Sequence, residues 1–127
     1  MTAELAIADA LVPPTPTSGP VLTRVLAISA NGDPVGYLVV AEPGGEGGHP
    51  CLWRIVIDYR HGGRGIEKLA VGELARFYGA AGHSQLDAYY HTRQGGLGRM
   101  FHAIGFAPVG QHGDAELARL DLAPFSD

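Results

Sequence analysis

The chain has 127 residues, of which 46% are hydrophobic, and this predicts one globular domain with its own core. Its net charge of −4 argues against binding to nucleic acid through the phosphate backbone. The single cysteine, Cys51, excludes an internal disulfide and a cysteine-based zinc site. The sequence has no signal-peptide pattern and no apolar run of membrane-spanning length, so we expect a soluble cytoplasmic protein without nucleic-acid or membrane partners.

The first twenty residues are predicted to form an arm that is separate from the folded domain. Residues 3–12 predict a short helix, because Ala3, Ile7, Ala10 and Leu11 would share one face. The proline-rich stretch "PPTPTSGP" then predicts an extended connector without regular structure. We therefore expect an arm over residues 1–20 and a domain over residues 21–127.

Three strands are predicted to open the domain. The apolar runs "VLTRVLAISA" and "VGYLVVAE" flank "NGDP", and Asn-Gly is the strongest short-range signal of a β-hairpin. The third strand is "CLWRIVID", residues 51–58, in which alternation places Cys51, Trp53, Ile55 and Ile57 on one side. Trp53 is expected in the core.

Two helices and three strands are predicted to follow. A helix begins near Ile66, "QLDAYY" is the fourth strand, "GLGRMFHAIG" is a shorter helix, and "FAPVG" and "AELARLDL" are a closing pair of strands. The pattern predicts an α/β fold with a mixed, mostly antiparallel sheet and helices on its faces. The expected buried positions of the two helices are Ile66, Leu69, Ala70, Glu73, Leu74 and Phe77, then Leu97, Phe101 and Ile104.

A glycine- and arginine-rich loop separates the third strand from the first helix. The first turn of a helix has unpaired N–H groups and the positive end of the helix dipole, and glycines let a ligand approach them. The stretch therefore predicts a phosphate or pyrophosphate site. Its members are Arg60, His61, Gly62, Gly63, Arg64, Gly65 and Ile66. The open alternative is a plain turn with solvated arginines, and neither the P-loop nor the dinucleotide pattern matches.

The spacing Arg60-x-x-Gly63-x-Gly65, between an apolar strand and an amphipathic helix, resembles the acetyl-CoA-binding motif of the GNAT N-acetyltransferase family. The later segment "QGGLGRMFHAIGF" is similar to that family's Asn-x-x-Ala-x-x-x-Tyr-x-x-x-Gly-Phe, with Gln94 at the Asn position and Phe101 at the Tyr position. The resemblance covers roughly residues 21–123 and implies a GNAT-like fold.

The resemblance implies that acetyl-CoA is a co-substrate. The pyrophosphate would lie against the amides from His61 to Ile66, and the pantetheine arm would pair with the backbone near Ile55 and Ile57. Gln94 would join the cofactor site. An amine acceptor, which the sequence does not identify, would then attack the thioester directly. The six histidines show no metal-ligand spacing.

The sequence departs from the family at the positions that carry proton transfer. Phe101 cannot donate a proton as the usual tyrosine does, and Asp58 is the only acid of the preceding strand. Other candidates near the predicted site are His49, Glu42, Tyr89, Tyr90 and His91.

The region before the hairpin is also short for the family, so either another subunit completes the acceptor pocket or no such pocket exists. Two functions therefore stay open. The chain is an N-acyltransferase, or it is an inactive GNAT-fold assembly subunit, for example of a phage virion. In either case we expect a homo-oligomer or a larger assembly.

Overall fold

The computed structural model describes residues 5–9, 15–16, 21–43, 49–58, 65–91 and 97–125. They form eight strands, two helices and a short 3₁₀ turn. The elements, in chain order, are β1 (Leu5–Asp9), β2 (Thr15–Pro16), β3 (Val21–Ala30), β4 (Asp33–Pro43), β5 (Cys51–Ile57), α1 (Ile66–Ala80), β6 (Gln85–His91), α2 (Leu97–Ile104), β7 (Ala107–His112), β8 (Ala115–Asp121) and the turn Ala123–Phe125.

The strands form one sheet in the order β1-β3-β4-β5-β6-β8-β7, and β2 pairs with β3 beside this path. Every described pair of strands is antiparallel except β5 and β6, which are parallel and are connected through α1. The predicted α/β fold with a mixed, mostly antiparallel sheet is confirmed. Neither described helix is long and apolar enough to cross a membrane.

Both helices pack on the same face of the sheet. Leu26 lies opposite Leu38, Leu38 lies opposite Ile55, and residues opposite each other in a ladder share a face. These side chains join Leu74 of α1 and Phe101 of α2 in one core cluster. No helix covers the other face within the described part of the chain. We call this face, which carries Tyr37 and Arg54, the uncovered face.

The predicted N-terminal helix is wrong for residues 5–9, which form strand β1. β1 pairs with β3, with Ile7 opposite Ile28. Leu5 and Ile7 pack against the core while Ala6 and Ala8 are exposed, so the segment follows the two-residue period of a strand. Pairing with β3 overrides the local helical pattern. The rest of the predicted helix lies outside the described residues.

The prediction of an irregular arm that ends at Val21 is also wrong in part. Thr15 and Pro16 pair with Thr23 and Leu22 of β3, so regular pairing reaches into the proline-rich stretch. Proline cannot donate to a ladder, but it is tolerated in a short strand at the edge of a sheet. The sheet therefore begins with residues of the arm, before Val21.

The hairpin prediction is confirmed. Asn31 and Gly32 have positive φ angles of 52° and 85° between the paired residues Ala30 and Asp33. A two-residue loop with both residues in this region matches the twist of the flanking strands, which is why Asn-Gly is preferred there.

The expected burial of Trp53 is wrong, because β5 contains a bulge. Val39 lies opposite Arg54 and Val40 lies opposite Leu52, so Trp53 has no partner in β4. Its side chain is 45% exposed. The bulge also shifts the alternation, and the buried Leu52, rather than Trp53, shares a face with Ile55 and Ile57.

The buried stripe of α1 is rotated from the predicted one. Ile66, Ala70 and Leu74 are buried as expected, but Leu69 is 39% exposed. Phe77 is partly buried and packs against the core, while Val71, Ala75, Tyr78 and Gly79 are buried in place of Leu69 and Glu73. In α2, Phe101 is buried, and Leu97 and Ile104 pack against the core as expected.

Candidate active site

The sheet opens between β5 and β6. The parallel ladder holds only two residue pairs, Cys51 with Asp87 and Leu52 with Ala88, before the strands diverge. Beyond this point they enclose a cleft of about 580 Å³, which we call the β5–β6 cleft. Its walls are residues 52–57 of β5, residues 89–91 of β6, and Leu97 and Phe101 of α2. The sheet is therefore open beside Ile55 and Ile57, the residues at which the pantetheine arm is expected to pair.

The β5 wall offers one backbone edge to the cleft. On its other side, β5 pairs with β4 from Cys51 to Ile57. A Cβ atom at Gly36 would overlap the carbonyl oxygen of Val56, so β4 and β5 are in close contact there. Among the described residues, the segment from Arg54 to Ile57 has no partner strand on the cleft side. Its outward amide and carbonyl groups can therefore receive an extended ligand.

Helix α1 begins just beyond the end of β5. Its N-cap is Gly65, with φ 73° and ψ 15°, and no side chain accepts a hydrogen bond from its first turn. This left-handed conformation favours glycine, and a Cβ at Gly65 would point into open space. The first-turn N–H groups are therefore not capped by a side chain of the described residues.

The structure describes four of the ten predicted cofactor-binding residues. Ile55 and Ile57 line the cleft from β5, Gly65 caps α1, and Ile66 opens it. The side chain of Ile66 is 3% exposed, so only its backbone could contact a ligand. The other six lie outside the described residues, and their roles stay predictions: Arg60, His61, Gly62, Gly63, Arg64 and Gln94.

The structure separates the candidates for proton transfer. Tyr89, Tyr90 and His91 line the cleft. Glu42 and His49 lie at the opposite end of β4 and β5, where β5 begins. Asp58 follows β5, and its N–H donates to the carbonyl of Val35 at 2.7 Å.

Glu42 is engaged in a structural cluster. Its carboxylate accepts hydrogen bonds from the Tyr78 hydroxyl at 2.6 Å and from Arg24 at 3.0 Å. Burial, followed by the contact with Glu42, raises the pKa of Tyr78 above its usual range. Arg24 also lies 4.9 Å from the ring centre of Phe77. This cluster ties β3 and β4 to α1, away from the cleft.

Tyr90 joins the cleft to α2 and β8. Its ring stacks on Phe101 with centroids 5.0 Å apart, and its hydroxyl donates to Glu116. Burial, followed by this hydrogen bond, raises the pKa of Tyr90 to about 12. The phenol therefore keeps its proton at neutral pH.

His91 ends β6 at the mouth of the cleft. Its Nδ1 lies 3.6 Å from a carboxylate oxygen of Asp114, and both side chains are about half exposed. Its ring also meets that of Tyr89 edge-on, with centroids 6.4 Å apart. An imidazole beside a carboxylate can take up a proton from a reacting group.

Arg54 is the cleft residue that the sequence reasoning did not select. It is the only Lys, Arg, Asp or Glu among the described residues that line the cleft. It lies opposite Val39 on the uncovered face and is exposed. The usable signal in the sequence is that Arg54 is the one basic residue in a strand that is otherwise apolar up to Asp58.

Cys51 lies beside the start of the cleft and its side chain is partly buried. Burial, followed by the negative charge of Asp87, raises the pKa of its thiol to about 12. The reactive thiolate is therefore not populated near neutral pH. No group of three His, Cys, Asp or Glu that could hold a metal ion occurs in the described residues.

No known family model and no curated protein matches the sequence. Solved structures do match its fold. An acetyltransferase from Thermus thermophilus superposes with a TM-score of 0.66 at 25% identity, over 78% of this chain and 64% of that one. A GNAT-family acetyltransferase from Streptococcus pneumoniae superposes with a TM-score of 0.66 at 20% identity, over 78% of this chain and 66% of that one.

A third match is yncA of Salmonella typhimurium, a putative acetyltransferase that was solved with its cofactor acetyl-CoA. It gives a TM-score of 0.64 at 19% identity, over 79% of this chain and 65% of that one. The chain thus spans less than two thirds of the length of all three structures. The order of elements and these superpositions establish that the chain has the GNAT-like acyl-CoA N-acyltransferase fold.

Proposed function

We propose that the chain is an acetyl-CoA-dependent N-acyltransferase that transfers the acetyl group to an amine. The observation that carries this proposal is the open edge of β5 in the β5–β6 cleft, followed in the chain by a helix start that no described side chain caps. The Salmonella typhimurium structure, which contains acetyl-CoA, has the same fold and supports this choice of ligand.

The open edge of β5 and the start of α1 suit different parts of the cofactor. The amide-rich pantetheine arm would hydrogen-bond along Arg54 to Ile57 as an added strand. The pyrophosphate would sit at the start of α1, where N–H groups and the helix dipole favour negative charge. Arg60, Gly63 and Gly65 supply the matching motif in the sequence. The strand edge and the helix start are consecutive in the chain, as one extended ligand requires.

The chemistry is a direct transfer. The amine nitrogen attacks the thioester carbonyl, the new C–N bond forms, and the C–S bond breaks to release the coenzyme A thiolate. The proton that the nitrogen loses goes to His91, whose imidazole lines the cleft and is 3.6 Å from Asp114. Binding both substrates in one cleft supplies the proximity on which such a transfer depends.

The leaving thiolate takes its proton from solvent in this scheme. Phe101 has no proton to donate, and Tyr90, whose ring stacks on it, has a pKa of about 12. An ordinary thiol has a pKa of about 8.5, so proton transfer from Tyr90 to the thiolate is unfavourable. Since a thiolate is a stable leaving group near neutral pH, catalysis does not require a general acid there.

One observation favours the second candidate function, an inactive GNAT-fold subunit of a homo-oligomer or larger assembly. Phe101 occupies the position at which the resemblance expects a proton-donating tyrosine, and it is 2% exposed inside an aromatic stack. Under this alternative the cleft would bind coenzyme A without turnover, or would not bind it.

Calorimetric titration with acetyl-CoA tests the proposal. We expect binding to the wild-type chain with a dissociation constant of about 1 μM to 1 mM, and its loss in Gly63→Val and in Arg60→Ala. The matched control is Arg99→Ala, which removes an exposed arginine of α2 outside the cleft lining. Absence of binding at millimolar acetyl-CoA refutes the transferase function, and binding without any acetyl transfer supports the inactive subunit.

A further inference from the structure

We propose that the amine acceptor carries a carboxylate beside an apolar or aromatic group, as an apolar α-amino acid does. This inference rests on the proposed function and specifies its substrate class. It follows from the side chains that line the cleft on the uncovered face.

The acceptor must enter from the uncovered face. α1 and α2 cover the other face, and Leu97 and Phe101 of α2 close the cleft on that side. Tyr89 and His91 alternate with the buried Tyr90 along β6, so they lie on the uncovered side. Arg54 lies on the same side of β5. These three side chains therefore border the route that an acceptor would take to the thioester.

The charge along this route favours an anion. Arg54 is the single Lys, Arg, Asp or Glu in the described lining. It has no carboxylate partner among the described residues, whereas Arg76 and Arg119 are paired with Glu73 and Asp87. A guanidinium can hold a carboxylate through two parallel hydrogen bonds. The described lining offers no carboxylate that would attract a polycationic acceptor such as a polyamine.

The remaining surface is apolar and aromatic. Trp53 is 45% exposed at the bulge, next to Arg54, and Tyr89 lies across the cleft on β6. Aromatic rings on both walls, the exposed Trp53 and the partly buried Tyr89, can hold the side chain of an apolar or aromatic amino acid. Arg54 would then take the carboxylate, which leaves the α-amino group between the two walls, where His91 can receive its proton.

The test compares two acceptors that differ by the carboxylate alone, L-phenylalanine and phenethylamine, with spermidine as the polycation. At saturating acetyl-CoA, release of coenzyme A should give a kcat/KM at least about 10-fold higher for phenylalanine than for phenethylamine. In Arg54→Gln this preference should fall by about 10- to 100-fold, and Arg54→Lys should restore part of it. Arg99→Gln, the same change outside the lining, should keep the preference.

A second readout does not depend on turnover. Trp53 is the only tryptophan of the chain, so its fluorescence reports on ligands in the cleft. N-acetylphenylalanine should change this fluorescence at lower concentration than N-acetylphenethylamine, and Arg54→Gln should remove the difference. Equal or better use of phenethylamine or spermidine, or equal binding of the two acetyl compounds, overturns the inference. Failure to bind acetyl-CoA overturns the proposed function instead.

Discussion

The ring of Tyr90 stacks on the ring of Phe101 at a centroid distance of 5.0 Å, and the Tyr90 hydroxyl donates to Glu116 on β8. One side chain thus joins β6 to α2 and to β8. Phe101 in turn packs edge-on against Phe106 at 5.1 Å, so an aromatic cluster supports the helix-side wall of the cleft. No helix covers the opposite side, the uncovered face, within the described residues.

Replacing Tyr90 by Phe should lower the free energy of unfolding by about 1 kcal/mol at pH 7, because Glu116 loses its hydrogen-bond donor. The pKa of Tyr90 is raised from 10.0 to about 12. Its stabilising contribution is therefore complete below pH 10 and is lost as the pH rises toward 12.

Urea unfolding of wild type and Tyr90→Phe between pH 7 and pH 12 checks this prediction. The difference in free energy of unfolding between the two proteins should shrink above pH 10. Only the wild type has the Tyr90–Glu116 hydrogen bond, so only the wild type loses its stabilisation when Tyr90 loses its proton. Tyr37→Phe, which changes an exposed tyrosine, is the control and should track the wild type. A deficit that stays constant up to pH 12 contradicts the assigned hydrogen bond.

Glu42→Gln should destabilise the chain without impairing acetyl transfer. Glu42 accepts hydrogen bonds from Tyr78 and Arg24 at the end of the sheet away from the cleft. We expect a loss of about 1 to 3 kcal/mol in the free energy of unfolding and a change in kcat of less than about twofold.

A double-mutant cycle of Glu42→Gln with Tyr78→Phe, measured by thermal or urea unfolding, should show a coupling of about 0.5 to 3 kcal/mol. A large fall in kcat with unchanged stability would instead restore Glu42 as a candidate base.

The same substitution should have opposite effects at two glycines. At Gly36, a Cβ would overlap the carbonyl oxygen of Val56 and crowd Ile57. Gly36→Ala should therefore lower the free energy of unfolding by about 1 to 3 kcal/mol. At Gly72, inside α1, the nearest atom is the flexible end of Arg76 at 3.8 Å. Gly72→Ala should therefore stabilise by up to about 1 kcal/mol, because alanine has the higher helix propensity.

The midpoints of urea unfolding for the two variants measure this contrast directly. Tolerance of Gly36→Ala would show that β4 and β5 are farther apart than described. The variant also matters for function, because Ile57 of the adjacent strand forms part of the cleft wall.

The sequence predicted those elements whose local signals agree with their tertiary surroundings. The Asn31-Gly32 turn, the strands around it and the helix from Ile66 were all correctly placed. The glycine motif predicts a helix start after a strand, whereas ligand pairing near Ile55 and Ile57 is implied by the family resemblance alone and stays a prediction. Where the motif itself lies, at residues 60–64, the structure adds no description.

The errors arise where pairing between distant residues overrides the local pattern. The local pattern of residues 5–9 is compatible with a helix or with a strand, and they form a strand because they pair with β3. The bulge at Trp53 depends on register with β4, which no local signal in β5 reveals. Alternation alone places Arg54 on the side away from Ile55 and Ile57, but that this side has no helix over it in the described residues is visible only in the sheet.

The account depends most directly on acetyl-CoA pairing with the free edge of β5. Amide hydrogen exchange with and without saturating acetyl-CoA measures this pairing. We predict that exchange at one or more amides between Arg54 and Ile57 slows at least about 10-fold, while residues 107–112 of β7 are unchanged. Unchanged exchange over residues 54–57 at saturating cofactor would contradict the proposed site.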